Sequence, residues 1–197
     1  MVMDRHNRSH KPKGTPDGGR YEAKNGSAGS DDVAEPSGAD PSARIIGSHE
    51  PLTGDDIEYI RTVSGPDTIG LMAAHRPEVD ACLASNPNLT EDDVDRLVFR
   101  QKSNSARADT VSGACMRPVM SDAFRDRCVG WMRDQTPRIR HAAIDAIGSN
   151  PHAAPELVKE SLWADPCMRQ AVRVAANPAA DDSTLALAVN ILSLIHI

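Results

Sequence analysis

Three times along this chain a proline-bracketed run of small apolar residues closes on Asn-Pro, at Asn86-Pro87, Asn150-Pro151 and Asn177-Pro178. The runs open at Pro77, Pro137 and Pro166. From Pro137 the apolar positions are Ile139, Ala142, Ala143, Ala146 and Ile147; from Pro166 they are Met168, Ala171, Val172, Ala175 and Ala176; from Pro77 they are Val79, Cys82 and Leu83. This is the three-and-four spacing of one helical face, repeated. Proline in a first helical turn loses an N–H that would be unpaired there anyway, and the proline after asparagine drives that asparagine out of the α region and ends the helix. The array reading rests on two stripes facing inward, Ile139/Ala143/Ile147 and Met168/Val172/Ala176.

A second helix follows each Asn-Pro. Thr90 caps one, with Asp93 placed to reach back as in a capping box, and Val94, Leu97 and Val98 face inward. Pro155 starts another, with the stripe Leu157, Val158, Ser161 and Leu162. Asp181 or Asp182 caps a third, with Leu185, Ala188, Val189 and Leu192. Between Ser105 and Asp134 lies a weaker copy in which Arg117-Pro118 replaces Asn-Pro; Ala108, Val111 and Cys115 precede it, and Phe124, Cys128, Trp131 and Met132 follow Ser121. The prolines at 87, 118, 151 and 178 are 31, 33 and 27 residues apart, an irregular period. Thr53–Val63 and Asp67–Ala74 supply a first pair. Aromatics make up only 3% of the chain, so the core must use Ala, Leu, Val, Ile and Met, which suits close helix packing. The expectation is an all-α chain, an α-solenoid of irregular antiparallel helix pairs over residues 51–191, preceded by a disordered polar tail over residues 1–50.

The stretch from Ala164 to Pro178, Asp165-Pro-Cys-Met-Arg-Gln-Ala-Val-Arg-Val-Ala-Ala-Asn-Pro within it, resembles the bacterial leucine-rich repeat variant, a relative of HEAT-type helical repeats. Residues 135–189 carry the likeness best and 75–98 in part. Arg140 and Arg169 fall on that repeat's arginine; Asp80 stands there in the first copy. The resemblance implies a helical solenoid used as a binding surface. The family's founding member is similar to an iron–sulfur protein with clustered N-terminal cysteines. This chain lacks that cluster, so no cofactor is carried over.

Between Asp4 and Ser42 the only branched aliphatic is Val33 and the only aromatic is Tyr21, and seven of the 13 glycines lie in the first 50 residues. Such a segment cannot bury enough apolar surface to offset the entropy of ordering it. Within it, Pro12-Lys-Gly-Thr-Pro-Asp-Gly-Gly-Arg-Tyr21 resembles the leader "PKGTPDGGQF" of many actinobacterial proteins, often of mobile-element origin. Arg20-Tyr21 replaces its Gln-Phe. A docking motif and a solvated linker are both open for it.

At the other end, Leu192-Ser-Leu-Ile-His-Ile197 matches the translation of a transposase-library sequencing adaptor, CTG TCT CTT ATA CAC ATC. Residues 192–197 are therefore expected to be artefactual, a real apolar helix end being the competing reading; an artefact implies that further repeats or a functional domain are missing. An apolar last helix also departs from the polar outer face that ends a solenoid.

The net charge of −6 argues against wholesale nucleic-acid binding. Its distribution is uneven. Pro51–Asp95 has two basic and ten acidic residues, Arg96–Arg140 has ten basic and four acidic, and the stretch from His141 onward has three basic and six acidic. Nine of the ten central basic residues are arginines, whose planar fork suits phosphate or carboxylate. Arg125, Arg127, Arg133, Arg138, Arg140, Arg169 and Arg173 are the candidate binding residues, provided they share a concave face. Alternatively they pair with the acidic repeats or lie on a solvated face.

No phosphate-cradling glycine loop, Gly-x-Ser-x-Gly or His-Glu-x-x-His is present, so no catalytic residue is assigned. Cys82, Cys115, Cys128 and Cys167, spaced 33, 13 and 39 residues apart, point to reduced and mostly buried thiols rather than zinc or disulfides. His75, His141 and His152 fall at repeat boundaries, where capping or exposed roles are usual. Trp131 and Trp163 are core or groove anchors. Absence of a signal peptide and of a run near the ~20 apolar residues needed to span a bilayer points to the cytoplasm. The functional expectation is a non-enzymatic protein–protein interaction scaffold with no cofactor, metal or membrane partner. The alternative is a nucleic-acid or other anion-binding HEAT-like protein using the central arginines.

Overall fold

The computed structural model describes residues 2–3, 9–10 and 40–194. Val2–Met3 (β1) and Ser9–His10 (β2) form a two-residue antiparallel ladder in a first unit, Met1–Gly38. The leader motif at 12–21 and the rest of the expected tail up to residue 39 lie outside the described residues.

The second unit, from Ala39 onward, carries eleven helices among the described residues. They are α1 (Pro41–Gly47), α2 (Gly54–Thr62), α3 (Pro66–Ala73), α4 (Pro77–Leu83), α5 (Glu91–Phe99), α6 (Asn104–Cys115), α7 (Asp122–Met132), α8 (Pro137–Ser149), α9 (Pro155–Ala164), α10 (Met168–Ala175) and α11 (Asp182–Leu194). None is long and apolar enough to cross a membrane among the described residues.

Helix α1 lies inside the stretch expected to be tail, so among the described residues helix is present from Pro41, ahead of Pro51. Seven residues are too few to show a period, yet Ile45 is buried, Arg44 pairs with Asp56, and the Ser42 and Tyr59 hydroxyls are 2.7 Å apart. At the other end α11 runs through Leu192, which packs on the core, to Leu194.

The even-numbered helices pack in succession, α2 on α4, α4 on α6, α6 on α8 and α8 on α10; α7 packs on α9 and α9 on α11. Close approaches need small residues. A Cβ on Gly113 of α6 would lie 2.0 Å from the Ala81 carbonyl oxygen of α4, so the two backbones meet there. A Cβ on Gly148 of α8 would lie 2.2 Å from the Gln170 amide nitrogen of α10.

The stripes expected in α5, α6 and α9 are buried throughout, and α8 buries Ile139, Ala143, Ala146 and Ile147. The stripe expected in α10 does not face inward. Met168 and Val172 are 50% and 55% exposed, Ala175 and Ala176 are exposed, and of the expected stripe Ala171 alone is buried, flanked by buried Gln170 and Val174. The cause is the length of each run. Pro77 and Pro137 stand nine and 13 residues before their asparagines, a difference of four, which is about one helical turn and keeps the face. Pro166 stands 11 before Asn177, a difference of two from Pro137, which rotates the face by about half a turn. In α11 Ala188 of the expected stripe is buried, Val189 is exposed and Thr184 is buried.

The register is set by the closing asparagine. Counting seven, six and three residues back from Asn86, Arg117, Asn150 and Asn177 gives Val79/Asp80/Leu83, Thr110/Val111/Ala114, Ala143/Ile144/Ile147 and Gln170/Ala171/Val174, all buried. Each closing side chain reaches into the preceding copy. The Asn86 amide donates to Ile60 O at 2.9 Å and Val63 O at 2.8 Å. The Arg117 guanidinium donates to Asn86 O at 2.7 Å and Leu89 O at 2.9 Å. Asn150 donates to Cys115 O at 2.9 Å and Arg117 O at 3.0 Å, and Asn177 to Gly148 O at 2.9 Å and Asn150 O at 3.1 Å. In the three asparagines the side-chain oxygen accepts the backbone N–H two residues on, at 2.8–2.9 Å. These bonds add partners to carbonyls at and just past helix ends, where the helix itself leaves acceptors unpaired. Arg117 does with a longer, forked side chain what asparagine does elsewhere, which explains Arg-Pro in the irregular copy.

Candidate functional site

Helix α7 is capped by Ser121, whose hydroxyl accepts the Phe124 N–H at 3.1 Å and donates to Glu91 at 2.7 Å. Burial pushes the Glu91 carboxyl up, but its two bonds from Ser121 and the charges of Arg127 and Arg117 outweigh that and hold it below the usual carboxylate range. Phe124 sits between two guanidinium groups, Arg117 at 5.7 Å and Arg127 at 5.8 Å from its ring centre. The ring meets these cations where the Arg117 Nε lacks a hydrogen-bond partner. Burial lowers the Arg117 pKa, with Glu91 opposing it. This cluster fixes the rotation of α7 and so determines what its outer face presents.

That outer face carries Arg125, Val129 and Arg133, one turn apart. Opposite it, α9 carries Glu156, Glu160 and Trp163 at the same kind of spacing. Between them is a cleft of 430 Å³ lined by Arg125, Asp126, Val129, Arg133, Ala154, Glu156, Leu157 and Glu160. Its floor is apolar, its α7 wall is mainly basic and its α9 wall acidic. Arg133 closes across it on Glu160 at 2.5 Å. Arg125 pairs only along its own helix, with exposed Asp122 at 2.9 Å. Trp163, one turn beyond Glu160, is 58% exposed.

The seven candidate arginines do not share one face. Arg125 and Arg133 meet in the cleft. Arg127 turns to α5 and pairs with Asp95 at 2.9 Å. Arg140 donates to Asp134 O at 3.1 Å. Arg169 and Arg173 converge on Asp145 of α8, and Arg138 is exposed at the start of that helix. Five of the seven thus contact carboxylates of the chain itself. Asp80, which stands at the repeat's arginine position in the first copy, is buried beneath Arg100, with the Arg100 Nε–H at 2.8 Å and the Gln101 amide at 2.6 Å.

The four cysteines are free, two buried and two partly so. Among the described residues no group of three His, Cys, Asp or Glu is placed to hold a metal ion. A 610 Å³ groove crosses α2, α4 and α6 over Ala81, Cys82 and Gly113, and a 600 Å³ hollow lies over the Asp80–Arg100 pair, whose charges are already mutually satisfied.

The α9 wall was missed in the sequence, although Glu156, Glu160 and Trp163 stand four and three residues apart. Attention to basic residues alone hid the acidic partner. No family model, curated protein or solved structure matches the chain.

Proposed function

We propose that this chain is a non-enzymatic protein–protein interaction scaffold, an α-solenoid of irregular helix pairs akin to HEAT-like and leucine-rich-repeat-variant arrays. The Met168/Val172/Ala176 stripe faces solvent and does not support the solenoid reading, which rests instead on the buried Ile139/Ala143/Ile147 stripe and on the asparagine and arginine side chains that reach back to the preceding helices. A cytoplasmic setting fits four cysteines carried as free thiols.

One observation carries the functional reading. The charge that could have formed an anion groove is largely neutralised within the chain, while the α7–α9 cleft leaves an apolar floor, walls of both signs and a solvent-facing tryptophan. A surface for phosphate backbones needs unopposed cations; a surface for proteins uses mixed charge around an apolar centre with aromatic anchors. Exposed Arg138 and the ten basic residues of 96–140 favour the second reading, nucleic-acid or other anion binding. A gel-shift assay with duplex and single-stranded oligonucleotides at low and moderate salt separates the two. The scaffold reading expects no shift at either salt concentration. A shift lost steeply with added salt, and weakened by Arg138→Glu, would overturn it in favour of nucleic acid.

A further inference from the structure

We propose that the α7–α9 cleft is the docking site and that its occupant is an amphipathic helical segment of a partner protein, acidic along one flank and basic along the other. The inference rests on the scaffold reading and adds the chemistry of the partner.

Charge complementarity sets the flanks. Arg133 and Glu160 already satisfy each other across the cleft. Arg125, Asp126 and Glu156 are the lining charges left to a ligand, Asp126 standing one residue off the Arg125–Val129–Arg133 row. Arg125 is 44% exposed at its side chain, and its Asp122 partner is 95% exposed, so water screens that pair and a carboxylate from outside can replace it. Glu156 is exposed and forms no ion pair among the described residues. An occupant therefore needs a carboxylate towards α7 and a cation towards α9. A segment acidic on both flanks meets Glu156 with like charge, and one basic on both flanks meets Arg125 in the same way. Such mismatches select partners more strongly than matched pairs raise affinity.

The floor sets the centre. Val129, Ala154 and Leu157 offer apolar surface between the charged walls. A side chain such as Leu or Met on the occupant covers it and excludes water from the flanking ion pairs. Trp163 extends the contact by one turn of α9 and is the aromatic anchor. From Arg125 to Arg133 the α7 wall spans eight residues, about 12 Å, or roughly two turns of a partner helix with anchors at three- and four-residue spacing. Two helices side by side present a groove that a third helix's ridge fits, which favours a helical occupant over an extended one.

The test uses the full chain and three synthetic helical peptides that share one leucine stripe. The first has Glu along one flank and Lys along the other, the second has Glu on both, and the third has Lys on both. Binding is read by anisotropy of a dye on the peptide and by the change in Trp163 emission, identified by its loss in Trp163→Phe. The mixed peptide is expected to bind about tenfold or more tightly than either control. Arg125→Glu and Glu156→Lys should each weaken it by about tenfold, and Val129→Glu should abolish binding, with far-UV circular dichroism showing each variant folded. Ile69→Glu, at an exposed site on α3, should leave it unchanged. Equal affinity for all three peptides, equal losses in Ile69→Glu and Val129→Glu, or no binding by any peptide overturns the cleft inference. With no nucleic-acid shift, such a failure leaves the scaffold reading standing; a salt-sensitive shift removes both.

Discussion

Replacing Asn150 with alanine tests how the copies are held together. The Asn150 side chain is fully buried and makes three hydrogen bonds, donating to Cys115 O at 2.9 Å and Arg117 O at 3.0 Å and accepting His152 N–H at 2.9 Å. At about 1 kcal/mol net for each, the substitution costs about 3 kcal/mol, and the stranded carbonyls argue against a smaller value. For a domain of this size that lowers the Tm by about 6–12 °C. Urea unfolding followed by circular dichroism and tryptophan emission gives the free energy, with agreement of the two probes showing a single transition. Asn88→Ala is the control. Asn88 is exposed and its amide reaches Thr62 O and Val63 O at 2.9 and 3.3 Å, so its loss should cost less than about 1 kcal/mol. A cost for Asn150→Ala below about 1 kcal/mol, or no greater than that for Asn88→Ala, refutes the argument that buried asparagines join the helices.

Other substitutions should act with opposite signs. Gly113→Ala forces a Cβ within 2.0 Å of the Ala81 carbonyl and should cost about 1–3 kcal/mol, whereas Gly130→Ala in α7 meets nothing within 4 Å and should gain about 0.5–1 kcal/mol from helix propensity; urea midpoints distinguish them. Asp80→Asn removes the carboxylate beneath Arg100 and Gln101 and should cost about 3 kcal/mol, against less than about 1 kcal/mol for Glu160→Gln in the exposed pair with Arg133, again by urea unfolding. The Arg44 hydrogen bond, with those from Thr53, holds Asp56 at about 2 against an ordinary 3.8. Because its folded pKa is depressed, Asp56 contributes stability that is fully present above about 3.8 and lost as pH falls through about 2. Asp56→Asn should flatten that part of the acid limb in a series of unfolding midpoints.

Helix periodicity made most of the fold legible in the sequence. Proline starts, Ser and Thr caps and the stripes of α5, α6, α8 and α9 all follow local rules, and local rules operate at the scale of one helix. The Thr90 cap is present, although Asp93 accepts from its hydroxyl; the complete reciprocal box is at Thr53 and Asp56. The α10 face was misread because the opening proline looked like the fixed point. Only the tertiary bonds of Asn177 show that the closing residue sets the phase, and those bonds cross 27 and 29 residues. Arg117-Pro118 was recognisable as a stand-in for Asn-Pro, but its reach to Asn86 O was not, since it depends on how α4 and α6 approach at Gly113. The candidate arginines were found by type and scattered by geometry. Arg169 and Arg173 belong to Asp145, and Arg127 to Asp95, because the neighbouring helix happens to present an acid there. The cleft needs two helices that are 23 residues apart at their nearest ends, from Met132 to Pro155, so no single-helix pattern contains it.

Amide hydrogen exchange of the asparagine side chains, followed by nuclear magnetic resonance, probes the joints between copies most directly. If the closing asparagines hold the array in register, the carboxamide protons of Asn86, Asn150 and Asn177 exchange only when the helices separate, far more slowly than those of exposed Asn104 and Asn190. Exchange of all five at one fast rate would contradict the account, because side chains so freely wetted could not be tying one helix pair to the next.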